Sequence, residues 1–292
     1  MNKIFISTLL FGVLFTGCFS GSKNTNDKIL FVTILPLKYF TDKIVGETYK
    51  VEVTVPPGVG PETYSPTPKQ MVLLSKAQAY FSIGYLGFEQ AFLEKFKSTN
   101  PNVQVFSTAK GIDLIKGLEE HGDHNHTEGV DPHIWSSPKE ARTIAQNIFD
   151  GMVQIDPENK ALFQQNLNKL LSEIDRVDST VNLILKKVAA KKFIIFHPAL
   201  GYFARDYGLE QLSIEFEGKV PSPKHLQTVI EEAKLGNIGF ILIQKEFDKE
   251  NAEIISKETG SKIIQIDPLA YDWPAQMIDI AEKLSLPNQS TN

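Results

Sequence analysis

The chain is 292 residues long, room for about two domains at roughly 150 residues each. It is 42% hydrophobic and 22% charged, which excludes disorder over most of its length because there is ample apolar surface to bury. A net charge of −5 without any run of lysine or arginine excludes the basic footprint of a nucleic-acid partner, and a single cysteine excludes an internal disulfide.

Residues 1–17 read as an export signal. Lys3 supplies the positive start, the run Ile4–Phe15 is mostly apolar, and Phe15-Thr16-Gly17-Cys18 closes it. The run is about 12 residues, shorter than the roughly 17–25 a transmembrane helix needs. Cys18 follows two small residues, as in a bacterial lipobox, where it would carry the lipid. Phe15 stands where leucine is more usual. The alternative is a plain secretory signal with an incidental cysteine. Residues 18–27 have linker composition and would tether a soluble body to a membrane. Localisation outside the cytoplasm, as a membrane-anchored lipoprotein in the periplasm or at the cell surface, follows from this reading.

The body then alternates β-rich and helical runs. Ile29–Leu35 is a continuous apolar run, the pattern of a parallel strand covered on both faces. Helical spacing follows over Pro36–Val45, period two over Val51–Val55, a helix over Pro68–Ala77 and a strand over Ala79–Ile83. A helix over Phe88–Phe96, a strand over Val103–Phe106 and, after a loop, a helix over Pro138–Val153 complete the first series. The second has strands at 193–196, Gln211–Ile214, Phe240–Ile243 and Lys262–Ile266. Helices at Pro198–Tyr207, Pro223–Lys234, Lys249–Thr259 (stopped by Gly260) and Pro274–Leu284 accompany them. Such βα alternation predicts parallel sheets between helices.

Between the two series, Glu158–Ala190 contains no glycine or proline, and its apolar residues from Leu162 to Val188 recur at i+3 and i+4. Asp156-Pro157 reads as N-cap plus proline at the first helical position. Roughly 33 residues at 1.5 Å each give about 50 Å, enough to run along two lobes; a heptad coiled coil is the alternative. The predicted fold is α/β: two lobes, each a mainly parallel sheet between helices, joined by one long backbone helix. The divisions are an N-terminal lobe over 28–156, the helix over 157–191 and a C-terminal lobe over 192–292. A helical connection is stiffer than crossing strands, so a small shift is expected on binding rather than a wide hinge closure.

The common enzyme signatures GxxxxGK[ST], GxSxG, HExxH and CxxC are missing. The six histidines sit in informative places. His197 follows the apolar strand 193–196, and ligands of open α/β sheets bind beyond the carboxyl ends of strands. Asp267 has the same setting after Lys262–Ile266. Glu62 lies in the proline-rich loop after Val51–Val55, and His133 follows a long loop containing His121, Asp123, His124 and His126. Two lobes presenting nitrogen and oxygen ligands to a cleft can hold a divalent metal, although each residue alone could equally be a loop or capping residue. His225 reads as a helix-surface residue, and Trp135 and Tyr64 as packing neighbours of the site.

Four segments carry a family resemblance: PGVGPETYSPTP, DPHIWSSP, FHPALGYFARDYGL, and PSPKHL followed by ETGSKIIQIDPLA. They resemble the metal-binding lipoproteins of bacterial ABC importers for zinc and manganese, and the likeness covers nearly all of the chain after the signal. The resemblance implies a solute-binding protein that delivers a divalent cation to an ABC permease and catalyses nothing. It implies His133, His197 and Asp267 as metal ligands and puts Glu62 where the family usually has histidine. The alternative for Glu62 is that it swings out and water completes the shell. The loop over 119–129 is similar to the His- and Asp-rich loop of zinc members, an accessory collector. Zinc is the expected metal, with manganese the alternative, and a monomer is expected. A zinc-dependent hydrolase is a rival class; it would keep one coordination position open for water. An adhesin, a name some relatives carry, has no repeat or exposed aromatic pattern in its support.

Overall fold

The computed structural model describes residues 28–116, 129–188, 191–215, 221–247 and 249–286. The signal, Cys18 and the tether therefore lie outside the described residues, as do His121, Asp123, His124 and His126. No helix among the described residues is long and apolar enough to cross a membrane.

The first sheet contains β1 (Ile29–Val32), β2 (Lys50–Val53), β3 (Ala79–Ser82) and β4 (Gln104–Ser107), in the order β2-β1-β3-β4. The second contains β5 (Lys192–Ile195), β6 (Glu210–Ser213), β7 (Phe240–Gln244) and β8 (Lys262–Ile266), in the order β6-β5-β7-β8. All pairings within the two sheets are parallel. The two lobes thus repeat one topology, and the strand order changes direction between β1 and β3 and again between β5 and β7. In such a sheet this switch point opens a crevice at the carboxyl ends of the strands.

The helices are α1 (Leu35–Val45), α2 (Pro68–Leu74), α3 (Gly87–Thr99), α4 (Pro138–Ile155), α5 (Lys160–Leu185), α6 (Gly201–Tyr207), α7 (Pro223–Leu235), α8 (Glu250–Thr259) and α9 (Trp273–Leu284). Their starts are encoded locally. Thr67 and Gln70 form a reciprocal capping box at α2, and the side chains of Ser137, Ser222 and Asp272 cap α4, α7 and α9. The apolar run that reads as one strand to Leu35 is divided: β1 stops at Val32, and α1 takes over at Leu35 with Pro36 in its first turn.

The long helix is shorter than its sequence pattern. Pro157–Asn159 form a 3-10 turn, and α5 proper spans 26 residues, about 39 Å at 1.5 Å per residue. Asp156 does not cap it. Its carboxylate instead accepts hydrogen bonds from Lys28 Nζ (2.9 Å), Tyr49 Oη (2.9 Å) and Asn159 Nδ2, tying the chain entrance to the helix start. One stripe of α5 is buried: Phe163, Leu167, Leu170, Ile174, Val177, Val181 and Leu185. It packs against α1 and α4 of the first lobe and α9 of the second. One hydrophobic core therefore runs through both lobes, from Leu30 and Phe81 by way of Leu170 and Ile174 to Phe203 and Met277, with smaller clusters on the outer faces of the sheets. Gly151 lets α4 lie on the first sheet: a Cβ there would stand 2.6 Å from the Phe81 ring.

Candidate metal centre

Glu62, His133 and His197 reach the cleft from three different loops. Glu62 follows β2, His133 precedes the 3-10 turn Ile134–Ser136 that leads into α4, and His197 stands just beyond β5. His133 Nε2 lies 3.0 Å from Glu62 Oε1 and 3.1 Å from His197 Nε2, and His197 Nε2 lies 3.3 Å from Glu62 Oε1. These three atoms form the one candidate metal-holding group of histidine, cysteine and carboxylate side chains among the described residues. Donors bonded at about 2.0–2.1 Å to a tetrahedral zinc stand about 3.3–3.4 Å apart, so the cluster needs to open only slightly to form a zinc triangle. The donor set of two imidazoles and one carboxylate also suits that metal.

Each imidazole is oriented from behind. His133 Nδ1 lies 2.7 Å from Asp131 Oδ1, which also accepts the His133 backbone N–H at 2.9 Å. His197 Nδ1 lies 3.1 Å from Glu215 Oε2. A carboxylate on Nδ1 fixes the proton there and leaves Nε2 as the ligand nitrogen, the arrangement that metal-binding histidines use. Gln244, the last residue of β7, clamps the His197 backbone. It donates from Nε2 to the His197 carbonyl (2.7 Å) and accepts the His197 N–H (3.3 Å). Phe247 stacks on the His197 ring at 5.0 Å, and Trp135 packs beside His133 at 5.1 Å. Trp135 also donates to the Pro268 carbonyl (3.0 Å), joining the His133 segment to the loop after β8.

Asp131 ties the lobes together as well. Tyr202 Oη on α6 donates to its carbonyl (2.8 Å), and its Oδ2 lies so close to Gly201 that a Cβ there would stand 2.4 Å away. Arg205, on the same helix, binds Glu140 of α4 and the Asp113 carbonyl. The second lobe thus grips the segment that carries His133.

The electrostatics of the free cluster follow from this crowding. Burial pushes the His133 imidazole down, but Asp131 and then Glu62 outweigh it and hold it up at about 10. Burial likewise lowers His197, Glu215 and Glu62 raise it, and the net displacement is upward. Burial raises Glu62, yet the hydrogen bonds from both imidazoles keep it well below the usual carboxylate range. The cluster therefore titrates as one coupled unit carrying protons that an incoming cation must displace.

The structure does not bring Asp267 into this group. The Gln244↔Ile266 pairing of β7 with β8 sets the next residues, Lys245 and Asp267, side by side, and Lys245 Nζ holds Asp267 Oδ2. Of the four donors implied by the resemblance, three stand together here, and Asp267 stands apart from them in an ion pair with Lys245. Glu246 lines both the cavity of the cluster and the neighbouring one that Asp267 lines. His225 is not a plain surface residue: its Nε2 lies 2.9 Å from the Ser213 carbonyl and pins α7 to the end of β6. Tyr64 hydrogen-bonds Gln70 (2.6 Å) and packs edge-on against Phe88. The sequence reading missed Asp131, Glu215 and Gln244. Asp131, two residues before a candidate ligand in the segment DPH, carried a usable signal; the other two depend on the strand order.

Known proteins resemble this chain in sequence and in fold. The family model described as the periplasmic zinc-uptake complex component A, ZnuA, matches residues 30–284. The high-affinity zinc uptake system protein ZnuA of Bacillus subtilis is 31% identical over 257 residues, covering 83% of this chain and 79% of that protein. The zinc-binding lipoprotein AdcA of Streptococcus pneumoniae is 28% identical over 284 residues, covering 92% of this chain; the chain spans 56% of AdcA. Among solved structures, a ZnuA crystal structure superposes with a TM-score of 0.83 at 37% identity, covering 90% of this chain and all of that one. A zinc-bound ZnuA deletion mutant gives 0.81, also at 37% identity, covering 91% of this chain and all of that one. The chain belongs to the ZnuA family of zinc-uptake components, metal-binding solute-binding proteins of ABC importers.

Proposed function

We propose that this protein captures zinc through Glu62 Oε1, His133 Nε2 and His197 Nε2 and presents it to an ABC permease. The convergence of these three atoms from separate loops, each imidazole backed by its own carboxylate, carries the reading. Two nitrogen donors favour zinc over manganese, which prefers a shell richer in oxygen. The names of the ZnuA and AdcA relatives support the same preference. The proposal extends to the chain's location: Cys18 anchors it outside the cytoplasm, as its lipoprotein relative AdcA suggests, and it acts there as a monomer.

The cation is cargo and undergoes no reaction, so what matters is the shape of the cleft. Pro61, Trp135, Phe247 and Leu269 line the same cavity as the ligand atoms and limit water around the ion. Three donors with an open fourth position would also suit a hydrolytic zinc; the transport roles named for the relatives favour carriage instead. The test is elemental analysis of protein purified without added metal, followed by zinc titration of the stripped protein. Stoichiometric zinc that is lost in His133→Ala supports the reading. Manganese as the retained metal, or zinc retained equally by the variant, overturns it.

A further inference from the structure

Asp267 is the carboxylate nearest in design to a further ligand, and it is engaged elsewhere. It stands one residue past β8, as Lys245 stands one residue past β7, and the parallel register makes them neighbours. Lys245 holds Asp267 Oδ2, while Asp267 Oδ1 is buried without a hydrogen-bond partner among the described residues. The loop behind Asp267 is fixed, because Trp135 donates to the Pro268 carbonyl and the Ala270 N–H bonds the Asp267 carbonyl at 3.1 Å. A change of side-chain rotamer is therefore the available movement. Lys245 has a side chain 42% exposed and can retreat into water. Glu246, which lines both cavities, also has a buried oxygen, Oε1, without a hydrogen-bond partner among the described residues, so Lys245 is the cation that faces two carboxylates here.

We infer that Lys245 is a selectivity residue: by holding the Asp267 carboxylate it withholds an oxygen donor from the cation and so favours zinc over manganese at the Glu62–His133–His197 cluster. This rests on the proposed metal site. Two imidazoles and a carboxylate come close to meeting zinc's preference for a low coordination number. Manganese is held best by carboxylate, carbonyl and water oxygens and gains more from each one added. A tethered ammonium on Asp267 thus penalises manganese more than zinc.

The test is competition between zinc and manganese for full-length Lys245→Met, Lys245→Arg, Asp267→Asn and the double variant Lys245→Met/Asp267→Asn. Lys245→Met is expected to tighten manganese roughly fivefold, the upper range for releasing a partly exposed ion pair, and zinc by less. Lys245→Arg should keep the wild-type zinc-to-manganese ratio, and Asp267→Asn should erase the gain. Removing any nearby positive charge would strengthen both cations alike. An equal shift for both metals, or a gain that survives Asp267→Asn, overturns the inference. His133→Ala in the same assay separates the two levels: if it leaves both affinities unchanged, the proposed site itself is wrong. Should Lys245→Met not fold, Lys245→Gln carries the same comparison.

Discussion

The two lobes share a strand order, yet their switch-point crevices are used in opposite ways. In the first lobe the crevice between β1 and β3 is filled by the chain's own Glu89, which is fully buried. Its Oε1 accepts from Thr33 Oγ1 (2.5 Å), Tyr80 Oη (2.9 Å) and the Ile83 N–H (3.2 Å), and its Oε2 from the Gly84 N–H (2.6 Å). In the second lobe the matching crevice between β5 and β7 presents His197, with Gln244 fixing its backbone and Glu215 its ring. The first lobe sends its own candidate ligands, Glu62 and His133, from beyond the edge strands β2 and β4. A crevice of this kind binds a ligand where its polar atoms are oriented but not saturated. Glu89 has four internal donors and little capacity left, whereas the two Nε2 atoms face each other and Glu62.

The largest expected effect separates the crevices directly. His197→Ala should weaken zinc binding by more than the roughly 10–100-fold that outer partners of metal ligands typically cost, because it removes a donor atom. Glu89→Leu should leave zinc affinity within about twofold of wild type, since it touches none of the three donors. Calorimetric titration of both variants checks this. Comparable zinc losses would mean that the crevices are not independent.

Next in size is pH. With His133 held at about 10 and His197 raised, the free cluster is protonated at neutral pH, and zinc must displace a proton. The sign follows: affinity falls as pH falls, by about tenfold per pH unit for one displaced proton, over the range below about 10. Between pH 8 and pH 6 the loss should approach about 100-fold. Titration in buffers of different ionisation enthalpy counts the protons released, and a pH-independent affinity would contradict the coupled cluster.

Asp131→Asn and Glu215→Gln should each cost about 10–100-fold in zinc affinity while the fold is kept, because each loosens a ring without removing its Nε2. Asp131→Asn should be the more severe, as Asp131 Oδ1 also accepts the His133 backbone N–H. In the first lobe the corresponding loss is one of stability. Glu89→Leu strands the N–H groups of Ile83 and Gly84, at about 1–3 kcal/mol for each group left without a partner, while the Thr33 and Tyr80 hydroxyls keep each other at 3.0 Å. A large fall in melting temperature with zinc affinity intact is the expected pair of results.

Much of this arrangement is legible in the sequence, and the rest has identifiable reasons for being hidden. Continuous apolar runs and helix-start residues are local signals, so the order of strands and helices can be read with shifts of a few residues at the ends. His197 draws notice because it follows an apolar strand, and His133 because it stands in DPHIW, one of the segments that carry the family resemblance. Asp267 reads the same way but stands apart, since its neighbour across the β7–β8 register is a lysine and register is invisible before the sheet is assembled. Glu215 and Gln244 are hidden for that reason too: both act through β5, which neither adjoins in sequence. Asp156 illustrates a competing local signal. Asp-Pro before a helix fits an N-cap, yet Lys28 and Tyr49, more than 100 residues away, claim the carboxylate.

The smallest expected effect concerns the histidine-bearing loop. Deleting residues 121–126 should change zinc affinity at the cluster by less than about twofold. The described chain on either side of the loop is closed independently of it: Lys116 and Val130 form an antiparallel bridge, and the Asp131 N–H bonds the Ile115 carbonyl at 2.9 Å. Asp131 is further held by Tyr202, so the orientation of His133 does not depend on what spans the gap. Shortening a flexible connection in general costs little in closure entropy, which varies only with the logarithm of loop length. If the loop collects zinc, its three imidazoles should appear as a weaker second binding event that the deletion removes, with the tight event unchanged. Zinc titration of the two proteins at one pH distinguishes the cases, and a large loss at the tight site on deletion would place one of these histidines among the ligands.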